Sequence, residues 1–112
     1  MMHLVPAAAA RAAVASRADR PATSIVHESP DARLVVFRLA PGQEVPPHRN
    51  ASTVMLTVLE GAGVLSGADG DERACVTGDV VVYAPNETHA MRAIDEELLL
   101  LATITPRPGE VR

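Results

Sequence analysis

The feature that most constrains the fold is a succession of short β-type segments that fills the chain from residue 24 onward. Runs rich in Val, Ile, Leu and Thr recur at a spacing of roughly 8–12 residues, with Gly, Pro and Asp between them. No helical period of apolar residues is present in this part of the chain. The pattern predicts an all-β sandwich or barrel. The predicted strands have the sequences TSIVHE, ARLVVFRLA, TVMLTVLE, GVLSG, ERACVTG, DVVVYAP, HAMRAI and ELLLLATITP.

The first part of the chain has a different pattern. Residues 7–18 are Ala-rich and follow Pro6, and "DRP" ends the stretch, so a short helix or arm is predicted over residues 1–23. A length of 112 residues corresponds to one domain. We therefore expect a β-barrel over residues 24–106 and a tail over residues 107–112.

Composition excludes several function classes. The formal net charge is -4, and Phe37 and Tyr83 are the only aromatic residues, which is unsuited to nucleic-acid binding. No stretch approaches the roughly 20 apolar residues of a membrane span, and the N-terminus lacks the features of a secretory signal. Cys75 is the only cysteine, so no intrachain disulfide can form. We expect a cytoplasmic protein without nucleic-acid or membrane partners.

The last predicted strand contains four consecutive leucines, Leu98–Leu101. A run without polar alternation is covered on both faces. The cover is either the opposite sheet together with the N-terminal segment, or another subunit. We favour a subunit contact, because small β-domains often need one and exposed apolar patches are rare.

Residues 41–61, "PGQEVPPHRNASTVMLTVLEG", resemble the first conserved motif of the cupin superfamily, G-x5-H-x-H-x3-E-x6-G. Gly42 is followed by five residues and His48, and Gly61 closes the motif in register. Asn50 stands in place of the second histidine. Val54 stands in place of the glutamate.

Residues 77–91, "TGDVVVYAPNETHAM", are similar to the second cupin motif, G-x5-P-x-G-x2-H-x3-N. Gly78 opens it and His89 falls at the histidine position. Ala84 replaces the proline, Asn86 the glycine and Ala93 the final asparagine. Asn is a reasonable substitute for Gly in a turn, because it tolerates the left-handed conformation.

The resemblance implies the double-stranded β-helix of cupins, a jelly-roll barrel of two facing antiparallel sheets, and a homodimer. In metal-binding cupins three histidines and a glutamate hold the ion. Only His48 and His89 are retained here, with Asn50 as a candidate third ligand. Iron, manganese, zinc or nickel is the kind of divalent ion that the resemblance implies, and the missing carboxylate predicts weak binding.

The register of the family also predicts a pocket around the two histidines. Alternate residues of a strand face the same side, which places these side chains inside the barrel. The predicted pocket residues beside His48 and His89 are Asn50, Val54, Leu56, Tyr83 and Met91.

These features favour a small stand-alone cupin that binds a small molecule, through a weakly held divalent metal or without one. A metal-free binding or sensing module is the main alternative. An isomerase-type enzyme would need Tyr83 as a partner acid for a histidine, and a metal-dependent dioxygenase would need a complete ligand set. A structural dimer with a vestigial pocket is a further alternative, so the sequence leaves open whether the protein is an enzyme.

Overall fold

The computed structural model describes residues 1–109 and consists in that range of nine strands, one short α-helix and a single 3-10 turn at Ala68–Gly70. The all-β prediction is confirmed. The elements are α1 (Pro6–Ala12), β1 (Ala22–Glu28), β2 (Arg33–Leu39), β3 (Glu44–His48), β4 (Thr53–Glu60), β5 (Ala62–Ser66), β6 (Glu72–Val76), β7 (Val80–Tyr83), β8 (His89–Ala93) and β9 (Leu98–Thr105).

Two antiparallel sheets form the barrel. One has five strands in the order β1-β2-β9-β4-β7, and the other has four in the order β3-β8-β5-β6. Most neighbours in the two sheets are distant in sequence, as in a jelly roll with long crossover connections. The arrangement is the double-stranded β-helix that the motifs predict.

The core lies between the sheets. Alternate residues of β4 and β9 point inward and are almost completely buried, as the period of two requires. Burying each Leu or Val side chain contributes about 1.5–3 kcal/mol. The inward residues of these two strands are Val54, Leu56, Val58, Leu98, Leu100, Ala102 and Ile104.

The hairpin predicted at Asp69-Gly70 joins β5 to β6. These strands pair in register from Ala62 with Val76 to Ser66 with Glu72. Asp69 has φ 60° and Gly70 φ 72°, the left-handed conformation that Asp-Gly favours in tight hairpins.

The N-terminal helix covers part of the outer face of the five-stranded sheet. Ala10 is fully buried and packs with Val36 and Leu99 in a second apolar cluster. The helix ends at Ala12, within the Ala-rich stretch of residues 7–18, and the Arg38 side chain donates to the carbonyl of Arg11 near this end. Within residues 1–109 no helix is long and apolar enough to span a membrane.

The packing of α1 shows what covers the outer face of the run Leu98–Leu101. Leu98 and Leu100 face the core, whereas Leu99 lies on the other face and is buried by the helix of the same chain. The interpretation that a second subunit covers this run was therefore wrong for Leu99. A homodimer is not required to bury it.

Candidate functional site

A bulge in β3 determines which residue faces His89. Val45 pairs with Met91 and His48 pairs with His89, so three residues of β3 span the same distance as two of β8. The extra residue lies at Pro46-Pro47. Proline has no N–H to donate to a ladder, and it is tolerated here because β3 is an edge strand. The bulge brings the two motif histidines opposite each other.

The two imidazoles are in contact. Their ring centroids are 3.9 Å apart, with an interplanar angle of 62°. His48 Nδ1 lies 3.1 Å from the carbonyl oxygen of Pro46, and His89 Nδ1 lies 3.2 Å from that of Glu87. A carbonyl oxygen only accepts, so each neutral ring carries its proton on Nδ1 and its lone pair on Nε2. Among residues 1–109 no protein group donates to either Nε2 atom.

The two rings have different environments. His48 is exposed, whereas His89 is only 3% exposed. Burial is the largest effect on the pKa of His89 and lowers it; the hydrogen bond to the Glu87 carbonyl raises it by less, and the charges of His48 and Glu87 have still smaller, opposing effects. His89 is therefore a neutral acceptor at pH 7, and His48 is the ring that solvent reaches.

Tyr83 faces the interior beside this pair. Its ring centroid is 4.9 Å from that of His89, and burial raises its pKa to about 12. Its hydroxyl is buried and has no hydrogen-bond partner within residues 1–109. Tyr83, Leu65 and Val81 also line a cleft of about 330 Å³ near Glu87. A ligand that accepts a hydrogen bond would satisfy this hydroxyl.

Asn50 connects the loops around the site. Its Oδ1 accepts a hydrogen bond from the Ser52 amide at 2.9 Å, and its carbonyl accepts one from the Asn86 amide at 2.7 Å. The side-chain oxygen, the atom that would ligate a metal, thus already caps a turn. Asn50 as a third ligand stays a prediction.

The apolar residues predicted for the pocket belong to the packed core. Val54, Leu56 and Met91 are 2%, 1% and 2% exposed. Val54 pairs with Tyr83, while Leu56 lies one inward position further along and pairs with Val81. Val54 and Leu56 therefore fill the barrel interior, whereas Met91 also lines a cavity beside His89.

A cavity of about 510 Å³ lies along β3 and β8 next to His89. Its lining includes His89 and Met91, and also Arg49 and Thr88, which we did not single out from the sequence. Arg49 directly follows His48 and Thr88 directly precedes His89 in the sequence, and this adjacency could have indicated that both lie near the site. Arg49 Nε donates to Thr88 Oγ1 at 3.2 Å across the ends of the two strands.

The donor set does not fit a tightly held resident metal. Among residues 1–109 no three His, Cys, Asp or Glu side chains converge on one point. Val54 offers no ligand where a carboxylate would complete the set. With metal–nitrogen bonds of about 2.1 Å, two rings on one ion have centroids about 4.5–5.2 Å apart. The observed 3.9 Å is shorter, so the rings would have to separate to share an ion.

The turns that frame the site have the expected backbone. Gly42, Gly61 and Gly78 all have positive φ, between 84° and 93°. Asn86, which replaces a motif glycine, has φ 65°. Asn therefore supplies the left-handed conformation before His89, as we expected from its tolerance of that region.

The two facing sheets and the histidine pair at one end of the barrel define a small single-barrel protein of the double-stranded β-helix class. The family model described as Cupin domain matches residues 35–105. The chain belongs to the Cupin domain family.

Solved structures agree with this assignment. An RmlC-like cupin protein from Desulfovibrio desulfuricans is 31% identical with a TM-score of 0.75, and the match covers 85% of this chain and 91% of that one. An uncharacterised double-stranded β-helix protein from Klebsiella pneumoniae is 22% identical with a TM-score of 0.81, over 91% and 90%. A predicted oxalate decarboxylase from Thermotoga maritima is 22% identical with a TM-score of 0.72, over 78% and 81%. No curated protein matches the sequence.

Proposed function

We propose that this cupin binds a small molecule at the end of the barrel where His48 and His89 meet. The observation that carries the proposal is the pair of Nδ1–carbonyl contacts, which leaves two Nε2 lone pairs close together. A ligand with a hydroxyl or amino group donates to these atoms. The exposed His48 and the adjoining cavity of about 510 Å³ provide the access.

The proposal includes a weak interaction with divalent metals. Iron, manganese, zinc or nickel would be held by the two imidazoles, with Asn50 as the candidate third ligand after its turn rearranges. Such an ion exchanges readily, because no carboxylate offsets its charge. Ligand binding therefore does not depend on it.

Proton transfer is a second candidate function, and one observation favours it. The neutral His89 lies beside the buried, protonated Tyr83, a base next to a phenolic proton donor. An isomerase-type reaction uses such a pair to remove and return a proton on one substrate. A dioxygenase is not proposed, because the residues present do not supply a facial ligand triad.

We retain the homodimer as a proposal on separate grounds. Val80 and Val82 on β7 are 55% and 60% exposed, and β7 is an edge strand of the five-stranded sheet. Apolar side chains on an edge strand favour association. Light scattering after size-exclusion chromatography, over a dilution series, distinguishes a dimer from a monomer.

The binding proposal is tested with a library of small polar metabolites, screened by ligand-induced thermal stabilisation on untagged, chelator-treated protein. A hit should lose its effect in His48→Gln and His89→Gln and keep it in His27→Gln. His27 lies on β1, the far edge of the five-stranded sheet, and serves as the matched control. Hits that bind the first two variants normally would contradict the proposal.

A further inference from the structure

Arg49 differs from most of the arginines within residues 1–109 in having no acidic partner there. Of the nine arginines within residues 1–109, seven form an ion pair with Asp or Glu. The two that do not are Arg20 and Arg49. Arg20 lies in the segment before β1, whereas Arg49 directly follows His48. An unpaired cation beside the proposed ligand site can recognise an anion.

The guanidinium of Arg49 is also oriented. Its Nε donates to the hydroxyl of Thr88 at 3.2 Å, and Thr88 directly precedes His89. The contact fixes the plane of the group across the ends of β3 and β8, next to the paired histidines. The two terminal amino groups, Nη1 and Nη2, keep their protons free of protein partners among residues 1–109. Two parallel donors of this kind match a carboxylate.

The cavity next to this group limits the charge that a ligand can carry. Arg49, Thr88 and His89 all line it. The other lining cation, Arg92, is neutralised by Glu72 at 2.9 Å. Glu44 and Asp69 add negative charge to the lining. Arg49 can offset one negative charge on a ligand that it binds directly, whereas a second negative charge would be repelled by the carboxylates of Glu44 and Asp69.

We propose that the ligand of this cupin is a small organic acid whose single carboxylate is bound by Nη1 and Nη2 of Arg49. A hydroxyl or other donor elsewhere on the same molecule reaches the Nε2 atoms of His48 and His89. Arg49 is then the residue that selects acids over their neutral analogues. This inference rests on the proposed function, because it assumes that the histidine pair binds the ligand.

The test uses two hydroxy acids and their amides, glycolate with glycolamide and mandelate with mandelamide. Nitrogen-15 spectra record the Nε–H signal of Arg49 and the ring nitrogens of His48 and His89 during titration. We expect the acids to shift all three residues and the amides to bind at least about tenfold more weakly. Arg49→Gln should weaken acid binding by about tenfold or more, Arg49→Lys should restore part of it, and Arg20→Gln should leave it unchanged.

The outcomes separate this inference from the proposed function. It is overturned if no acid shifts the Arg49 signal more than its amide does, if Arg49→Gln binds the acids normally, or if inorganic phosphate binds more tightly than either acid. Acid binding that depends on Arg49 but persists in His48→Gln and His89→Gln would support the carboxylate site and contradict the histidine site. If the acids and their amides bind equally tightly at His48 and His89, the result would support the histidine site and contradict the carboxylate site.

Discussion

His48 and His89 face each other across β3 and β8 with their ring centroids 3.9 Å apart, because an extra residue at Pro46-Pro47 shifts the register of β3. Without the bulge, Pro47 would lie opposite His89. The pairing leaves one ring exposed and the other buried, although both have the same backbone contact. This difference in exposure determines how each histidine should affect the stability of the protein and its dependence on pH.

The two histidines should differ in their contribution to stability. His89→Ala removes a buried ring and leaves the Glu87 carbonyl without its donor, which should lower the free energy of unfolding by about 1–3 kcal/mol. His48→Ala affects an exposed ring and should change it by no more than about 0.5 kcal/mol. Urea denaturation of both variants measures the difference. Equal losses would mean that His48 is buried in solution.

Stability should depend on pH through His89. Its pKa lies below the usual 6.5 in the folded state, so the unfolded chain binds a proton there first as the pH falls. The free energy of unfolding should therefore decrease as the pH falls from about 7.5 through 6.5 and recover when the pH rises. The paired carboxyls Glu28 and Glu72 have pKa values lowered by hydrogen bonds from Arg33 and Arg92. They should change the stability only below about pH 4.5.

The control for this pH effect is His89→Gln, which should have a nearly constant urea midpoint over the same range. His27→Gln should keep the dependence of the original chain. A midpoint in His89→Gln that still falls with pH would assign the effect to another group.

Restoring the missing carboxylate should create metal affinity. Val54 is 2% exposed and belongs to the core, so Val54→Glu should destabilise the metal-free protein by at least about 2 kcal/mol. Added Mn²⁺ or Zn²⁺ should then raise its thermal midpoint more than that of the original chain. Val54→Gln has a similar size without the charge and should show no such gain. Equal responses of both variants would contradict the inward register of Val54 toward the histidines.

The Tyr83 hydroxyl should be dispensable for folding. It has no hydrogen-bond partner in the described part of the chain, residues 1–109, so Tyr83→Phe removes a buried polar atom without breaking a hydrogen bond. The free energy of unfolding should stay the same or rise by up to about 1 kcal/mol. Any turnover that is later found should decrease in this variant if Tyr83 transfers a proton. A loss of more than about 1 kcal/mol on denaturation would show that the hydroxyl has a partner.

Two motif glycines with similar backbone angles should respond differently to alanine. Gly78 has φ 93° with open space around the position of a Cβ, so Gly78→Ala should cost about 1–2 kcal/mol of backbone strain. Gly61 has φ 89°, and a Cβ there would collide with the carbonyl of Glu97. Gly61→Ala should therefore lose more than about 4 kcal/mol or fail to fold. Circular dichroism during urea titration compares them, and equal losses would contradict the close approach.

Most of the fold was predictable because local patterns determine it. The Asp69-Gly70 hairpin, the alternation of β4 and the framework glycines can each be recognised within a few residues of sequence. Strand β3 was not predicted as an element, because Pro46 and Pro47 argue against a strand unless it lies at an edge with a bulge.

The site was predictable only in part. The family motifs identify His48 and His89, but their contact depends on the bulge, and the cover of Leu99 depends on where α1 packs. The unpaired state of Arg49 depends on where every acidic side chain lies, which only the folded chain determines.

The proposed ligand site depends on His48 and His89 presenting two Nε2 acceptors that no resident metal occupies. The most direct measurement is a long-range proton–nitrogen correlation spectrum of the untagged protein at neutral pH, before and after EDTA. We expect the neutral form of each ring to be protonated on Nδ1, with Nε2 neither protonated nor ligated, and EDTA to change nothing. Nε2 signals that shift when EDTA is added, or a neutral ring whose proton lies on Nε2, would contradict this expectation.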